Sequence, residues 1–188
     1  MAIERLYFIA IVPPEEISGQ ITAIKHEFAS NYGSSHALNA PPHITLHMPF
    51  KCKDSKLDDL VAMLQARAQE LKSFPVWLEG FAAFPPRVIY VDVKENEALR
   101  NCQRAIMHSM RTLNVLNADY KNRPFHPHIT VAFRDLRKAA FHKAWKEFES
   151  RPYSADFDVN TISLLMHVHE AGGKSHWEIL KQFELATS

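Results

Sequence analysis

Hydrophobic positions along the chain fall into alternating blocks of two kinds. The first block, at 4–12, is an almost unbroken apolar run that predicts a buried strand. After Pro13 and Pro14 the apolar residues recur every three to four positions, which predicts a helix with proline and acids in its first turn. We expect a second strand at 42–50, then a second amphipathic helix, and an extended segment at 74–84.

The same order of blocks then begins again. The pattern at 87–93 resembles the pattern at 5–11, which lies 82 residues earlier, and a helix, a strand and another helix follow it. A repeated order at an offset of 82 to 85 residues indicates an internal duplication. We therefore divide the chain into half-repeats at 4–84 and 87–169.

Two further strands complete the predicted architecture, one at 156–169 and a closing strand at 175–185 after a Gly-containing turn. Two repeats related by a pseudo-two-fold axis would face each other across a cleft. The predicted fold is α+β: a single two-lobed domain over 1–188, with two mainly antiparallel sheets, helices on the outside and a central cleft.

Composition limits the classes of protein that this chain can belong to. Its 188 residues, 46% hydrophobic and 23% charged, are typical of a globular domain, and the net charge of +1 provides no overall positive field. Cys52 and Cys102 lack a redox or metal spacing, so we expect inert thiols in a reducing cytoplasm. We expect no signal peptide, no membrane span and no obligate protein partner, and we favour a monomer because the duplication already supplies two-fold architecture.

A tetrapeptide that occurs twice carries the candidate chemistry. It reads His-Ile-Thr-Leu at 43–46 and His-Ile-Thr-Val at 128–131, each time after a proline-rich lead-in and at the same place in its half-repeat. Because side chains alternate along a strand, the histidine and the threonine of each copy share one face. The candidate catalytic residues, which the predicted cleft would bring together, are His43, Thr45, His128 and Thr130.

Two histidines and two hydroxyls suit chemistry on a phosphodiester. The ordinary histidine pKa of ~6.5 lets one imidazole act as a base while another acts as an acid. Threonine hydroxyls can donate hydrogen bonds to the non-bridging phosphate oxygens. A single His-x-Thr is most often structural, whereas two copies in a duplicated unit favour catalysis. This chemistry requires no metal and no cofactor.

The quoted motifs resemble those of a known family. Pro42–Leu46 and Pro127–Val131 are similar to the paired motifs of the two-histidine phosphoesterase superfamily, in its 2′-5′ RNA ligase-like branch. Pro86–Tyr90 resembles the start of the second half in relatives, and the closing hairpin with Trp177 and Phe183–Leu185 is also similar. The resemblance covers most of the chain.

Membership implies a bilobal fold and hydrolysis of RNA 2′,3′-cyclic phosphate ends to a 2′-phosphate. In some members it also implies reversible, ATP-independent 2′-5′ ligation. It further implies that His43 donates a proton and that His128 accepts one and activates water. Many relatives carry a basic residue five positions after the second histidine, where this chain has Phe133 followed by Arg134. Many also read aromatic-Leu-Gly where this chain has 48–50, Met-Pro-Phe.

Residues around the motifs are weaker candidates for substrate binding. His47 and His126 would share the active face if both strands stay regular, as phosphate or nucleotide contacts, as zinc ligands or as ordinary strand polarity. Charged residues beside the second motif bind the RNA backbone or are simply solvated. These are Lys121, Arg123 and Arg134. Aromatic residues offer a stacking platform for a base or belong to the core. These are Tyr7, Phe50, Tyr90 and Phe133.

The expected partner is an RNA end or a nucleotide that carries a cyclic phosphate. Two alternatives remain open. The first is a phosphodiesterase of a small nucleotide, such as a cyclic ADP-ribose phosphate or a 2′-5′ oligonucleotide. The second is a non-catalytic module that binds RNA ends, although binding alone needs no matched acid and base.

Overall fold

The structure is a computed structural model that describes residues 3–114 and 124–187. Its elements follow the predicted order closely. The strands are β1 (Glu4–Ile11), β2 (Ile44–Lys53), β3 (Phe74–Phe84), β4 (Val88–Val93), β5 (His128–Ala132), β6 (Ser154–Val159), β7 (Thr161–His169) and β8 (Ser175–Glu184). The helices are α1 (Glu15–Tyr32), α2 (Leu57–Glu70), α3 (Glu97–Thr112) and α4 (Lys138–Phe148), with short 3₁₀ turns at His36–Asn39 and Asp54–Lys56.

The strands form two four-stranded antiparallel sheets, which confirms the predicted α+β class. The first sheet has the order β2-β1-β7-β8 and the second sheet has the order β5-β4-β3-β6. In both sheets the strand that carries a motif lies at the edge, and β2 and β5 contact each other. The fold therefore brings the two motif strands together where the sheets meet.

The two half-repeats exchange their third strands. β3 follows α2 in the chain yet lies beside β4 in the second sheet, and β7 lies beside β1 in the first sheet. Helices cross over as well, since α1 contacts β5 and α3 contacts β2. Each sheet is thus built from both halves of the sequence.

The strand predicted at 156–169 is two strands that belong to different sheets. The chain leaves the second sheet after Val159 and enters the first sheet at Thr161. Asn160 stands at the crossing, where its carbonyl accepts a hydrogen bond of 2.8 Å from the Leu185 amide. The alternation shifts at the crossing, since apolar residues fall on odd positions up to Val159 and resume on an even position at Ile162, after polar Asn160 and Thr161. The prediction of a single strand did not use this shift.

A continuous hydrophobic core fills the space between the sheets and the helices. Alternation along β1 places Tyr7, Ile9 and Ile11 in this core. The other face of β1 carries a smaller cluster of Phe8 and Ala10 with Leu165, against which Trp177 packs. Both faces of β1 are therefore covered, which explains its unbroken apolar sequence. In the described part of the chain, no helix has the length and hydropathy to cross a membrane.

Candidate active site

Both motif histidines are held in the same orientation by the backbone that precedes them. His43 Nδ1 lies 2.7 Å from the Pro41 carbonyl oxygen, and His128 Nδ1 lies 2.7 Å from the His126 carbonyl oxygen. Because a carbonyl only accepts, Nδ1 must carry the hydrogen in each ring. Nε2 is left to accept a proton, or to donate one when the ring is charged. The proline-rich lead-ins therefore select the tautomer that general acid–base catalysis needs.

An aromatic ring supports each histidine from the neighbouring strand. The ring centroids of Phe8 and His43 are 4.7 Å apart, and those of Tyr90 and His128 are 5.0 Å apart. Phe8 and Tyr90 occupy equivalent places in β1 and β4, separated by the same 82 residues as the half-repeats. The duplication thus reproduces a complete unit of histidine and supporting ring.

The threonines lie on the same faces as these rings. Thr45 pairs with Ala10 across β2 and β1, and Thr130 pairs with Tyr90 across β5 and β4. Directly paired residues in an antiparallel ladder point to the same side. Each sheet therefore presents a hydroxyl beside its imidazole.

Burial and the neighbouring charges favour neutral imidazoles. Burial lowers the pKa of His43 to about 4, with Lys25 and His128 adding positive charge that lowers it further and the Pro41 carbonyl acting in the opposite direction. Burial also lowers the pKa of His128. The hydrogen bond to the His126 carbonyl and the charge of Asp92 act in the opposite direction, whereas the charge of His126 lowers the pKa further. β2 and β5 contact each other, so the two motifs lie on neighbouring strands.

A buried lysine stands behind the first motif. Lys25 of α1 is 2% exposed, and its Nζ donates a hydrogen bond of 2.9 Å to the Ala40 carbonyl. Burial lowers the pKa of this ammonium group to about 8. Since Ala40 directly precedes Pro41, Lys25 anchors the turn whose next carbonyl orients His43.

The second motif has a different support. The Tyr90 hydroxyl lies 3.0 Å from His126 Nε2, which ties the lead-in of the second motif to β4. Phe84 packs against Tyr90 at 4.6 Å and against His128 at 5.4 Å between ring centroids. Phe84 is 41% exposed, so this aromatic cluster reaches the surface beside the second histidine.

Comparison with known proteins settles the relationship of this chain. The sequence model of the 2′-5′ RNA ligase superfamily matches residues 13–170. The chain belongs to the 2′-5′ RNA ligase superfamily. It is 29% identical over 179 residues to "Putative phosphoesterase GWCH70_0799" of Geobacillus sp. (strain WCH70), covering 94% of each chain. It is 25% identical over 192 residues to the "RNA 2′,3′-cyclic phosphodiesterase" of Bacillus subtilis (strain 168), covering 96% of each.

Several solved structures share this fold. The crystal structure of E. coli LigT complexed with 3′-AMP superimposes with a TM-score of 0.74 at 22% identity, covering 97% of this chain and 99% of that one. The crystal structure of TT0787 of Thermus thermophilus gives a TM-score of 0.70 at 20% identity, with 97% and 98% covered. The α+β fold with two antiparallel sheets is thus that of LigT.

His47 does not share the face of the 2′-5′ RNA ligase-like motif that precedes it. Thr45 pairs with Ala10, but the next pair joins His47 to Ile9, so Leu46 is an extra residue that forms a bulge in β2. The bulge reverses the alternation and turns His47 into the core, where it is 2% exposed and bonds the Met48 carbonyl at 2.8 Å. The prediction of a substrate or zinc contact by His47 assumed a regular strand and is wrong.

Two of the proposed stacking aromatics are core residues. Tyr7 is 0% exposed and Phe50 is 4% exposed, and their ring centroids lie 6.2 Å apart inside the core. The structure corrects the prediction that they stack on a base, because both side chains point away from the motif face. Tyr90 lies on the motif face beside His128, and His126 is exposed next to it.

The rim beyond β5 is organised by a carboxylate that links distant parts of the chain. Asp135 accepts hydrogen bonds of 2.8 Å from the Ser34 hydroxyl and from the Ser35 and His36 amides. These hydrogen bonds outweigh burial and lower the pKa of Asp135. The link places His36 3.4 Å from the Arg134 guanidinium, at the edge of the motif face.

The remaining predicted contacts have mixed outcomes. Arg134 is exposed, has a positive φ of 59° and lies over the Phe133 ring, whose centroid is 5.4 Å from Arg134 Cζ. Lys121 and Arg123 lie outside the described residues. Within 3–114 and 124–187, no three His, Cys, Asp or Glu side chains are grouped as a metal ion would need.

Sequence reasoning missed Phe8, Lys25 and Asp135. Phe8 was detectable, because it aligns with Tyr90 when the half-repeats are superimposed. Lys25 also left a signal, since it follows Ile21 by four positions on the apolar stripe of α1 and must therefore be buried. Asp135 left none, because its partners lie about 100 residues away in the chain.

Proposed function

We propose that this chain is a metal-independent phosphodiesterase that hydrolyses RNA 2′,3′-cyclic phosphate ends to 2′-phosphates. The observation that carries the proposal is the pair of equivalent imidazoles, each with Nδ1 fixed on a carbonyl and Nε2 left for proton transfer. Opening a cyclic phosphodiester requires a base on the attacking side and an acid on the leaving side. Two matched histidines provide both groups.

In the proposed reaction water attacks phosphorus opposite the bond to O3′. Neutral His128 accepts the proton from water through Nε2, and protonated His43 donates its proton to O3′ as the P–O3′ bond breaks. The products are a 2′-phosphate and a free 3′-hydroxyl, and the two imidazoles end with exchanged protonation states. Thr45 and Thr130 donate hydrogen bonds to the non-bridging oxygens, where charge accumulates.

The lowered pKa values favour both imidazoles being neutral in the free protein. A bound phosphodiester brings a negative charge that raises the pKa of each nearby imidazole. Substrate binding therefore promotes the uptake of the proton that the acid delivers. This coupling makes the charged, reactive state depend on the presence of substrate.

The same bond cleavage accounts for 2′-5′ ligation. If a ribose 5′-hydroxyl replaces water as the attacking group, breaking the P–O3′ bond leaves a 2′-5′ phosphodiester. The reaction conserves the number of phosphodiester bonds and needs no nucleoside triphosphate. We propose it as a second, reversible activity of the same site.

The relatives support this proposal through their names. One is an RNA 2′,3′-cyclic phosphodiesterase, and the structurally similar LigT has been crystallised with 3′-AMP, ATP and NADP+. All of these ligands are nucleotides, which fits a site that recognises a phosphate next to a ribose.

The decisive test is the turnover of a nucleoside 2′,3′-cyclic phosphate in the presence of EDTA. We expect a 2′-phosphate from the wild type, and loss of turnover in His43→Ala and in His128→Ala. His176→Ala is the matched control, because His176 is a surface histidine that pairs with Glu170 away from the motifs. A 3′-phosphate product, inhibition by EDTA, or full activity in either motif variant would overturn the proposal.

A further inference from the structure

A row of rings continues outward from the first motif histidine across the first sheet. Phe8, which supports His43, contacts Trp177 with ring centroids 4.6 Å apart. Trp177 lies 4.8 Å from His167, and His167 lies 4.6 Å from His169. We call Phe8, Trp177, His167 and His169 the ring track.

The strand register explains why these rings share one surface. Phe8 pairs with Leu165 across β1 and β7, and His167 pairs with Trp177 across β7 and β8. Residues 165, 167 and 169 alternate onto the face that carries Phe8 and the first motif. Exposure increases along the track, from buried Phe8 through half-buried Trp177 and His167 to exposed His169. The track therefore leads from the reacting centre to solvent.

The second sheet has no equivalent continuation among the described residues. Its aromatic cluster beside His128 ends at Phe84 on β3. The outer strand β6 pairs with β3 only over Phe74–Glu79, whereas the cluster involves Phe84 at the other end of β3. Trp77 of β3 is 46% exposed but makes no ring contact with this cluster, so among the described residues a continuous row of rings leads away from a motif on the first sheet alone.

We propose that the ring track binds the nucleotides that precede the cyclic-phosphate end of a single-stranded RNA. This inference rests on the proposed function, because the terminal phosphate must lie between the two motif histidines. Aromatic and imidazole rings accept stacked bases of any identity, so the track recognises an oligonucleotide without sequence preference. The substrate class is then an RNA chain rather than a mononucleotide.

The charges at the end of the track indicate how it binds. Lys51 is paired with Glu4 at 3.6 Å, and Arg5 is paired with Asp54 at 3.3 Å. Glu4, Arg5 and Lys51 line a groove of about 650 Å³ that also includes His167 and His169. Because their charges are already compensated, stacking and not phosphate neutralisation provides the additional affinity. The affinity gained from the extra nucleotides should therefore depend weakly on salt.

The test compares the binding of two ligands that are not turned over. One is a nucleoside 2′-phosphate and the other is a five-nucleotide RNA with a 2′-phosphate at its 3′ end. We expect the wild type to bind the oligonucleotide at least about fivefold more tightly, since stacking of one base gives a gain of this order. His167→Ala should lose most of this gain and retain mononucleotide binding. His176→Ala, on the opposite face of the same hairpin, should retain both.

Equal affinity of the wild type for both ligands would overturn the proposal. An equal loss of affinity for both ligands in His167→Ala would also overturn it. A gain that disappears between 50 and 200 mM salt would instead assign the binding to phosphate contacts and also reject the track. Turnover of a nucleoside 2′,3′-cyclic phosphate, measured in parallel, reports on the proposed function. If the protein turns over the mononucleotide but does not bind the oligonucleotide more tightly, the proposed function is supported and only the role of the ring track is rejected.

Discussion

The two motifs of this chain are alike at their centres and different in their surroundings. In both, a carbonyl two residues upstream fixes Nδ1, and an aromatic ring from the adjacent strand packs against the imidazole. Behind them the supports diverge. His43 lies near the positive charge of buried Lys25, whereas His128 lies near the imidazole of His126 and the negative charge of Asp92, which act in opposite directions.

The difference teaches how a duplicated site can become directional. Two identical histidines would share a proton equally, and neither would be fixed as acid or base. Lys25 lowers the pKa of His43, whereas Asp92 acts to raise the pKa of His128, so the two imidazoles differ in proton affinity although their geometry is matched. In the free protein this asymmetry makes His43 harder to protonate, so its proposed role as the acid depends on the bound phosphodiester raising its pKa. The backbone lead-ins therefore preserve the chemistry, and the residues outside the motifs differentiate its two halves.

The largest effect that we predict tests whether the two histidines serve one step. His43→Ala and His128→Ala should each lower kcat by about 10²–10⁴-fold, the usual contribution of a general acid or base. The double variant should be little slower than either single variant, because removing one partner already disables proton transfer. Steady-state rates on a cyclic-phosphate substrate give the comparison. Losses that simply multiply would mean that the motifs act independently.

Removing the link between the halves should have the next largest effect. Asp135→Asn replaces a charged acceptor of several hydrogen bonds, and we expect it to destabilise the fold by about 1–3 kcal/mol. Denaturant unfolding measures this change. Asp59→Asn, which alters an exposed carboxylate paired with Lys56, is the control and should change stability by less than about 0.5 kcal/mol. Equal effects of the two variants would show that the link contributes nothing.

The pH dependence should reveal both histidines in the free protein. Both have a pKa below the ordinary value, so the bell-shaped profile of kcat/KM should have its optimum below about pH 6.5. The optimum of kcat should lie at higher pH, because bound phosphodiester raises both pKa values. Rate profiles from pH 4 to 9 measure both optima. A kcat/KM optimum above pH 7 would contradict the neutral state assigned to the free site.

The smallest predicted effect comes from a substitution that makes the surroundings of His43 more like those of His128. The position equivalent to Lys25 in the second half-repeat is Met107, so Lys25→Met makes the first half resemble the second. Loss of the nearby positive charge should raise the pKa of His43 by up to about one unit. NMR titration of the His43 ring measures this shift. Lys56→Met, an exposed lysine, should leave the His43 pKa unchanged, and a shift of the same size there would refute a specific effect.

Much of the fold could be predicted because local sequence patterns indicate it. Helical and strand spacings located the elements, and the repeated tetrapeptide located two equivalent histidines. The predictions for His47 and Tyr7 failed because alternation along a strand gives limited information. It assigns His47 to a face only if the strand stays regular, and it assigns Tyr7 to the motif face only if the core side of β1 is known. One extra residue at Leu46 reversed the face of His47, and no residue type in the sequence signals that bulge.

Other features depend on contacts that a linear pattern does not contain. Asp135 meets Ser34 and His36 because the second half folds against the first, about 100 residues apart in sequence. Position 160 separates strands of different sheets, and only a shift in the alternation between Val159 and Ile162 marks the break in the sequence. Lys25 and Phe8 were within reach, since one interrupts an apolar stripe and the other has a counterpart in the repeat.

The exchange of third strands has a consequence for dividing the chain into fragments. A fragment that ends before β4 would hold β1 and β2 without the β7 that covers β1 and would present a bare sheet edge. A fragment that begins at β4 would lack β3, the strand that joins β4 to β6. Neither half of the sequence contains a complete sheet, so the two halves should fold only together.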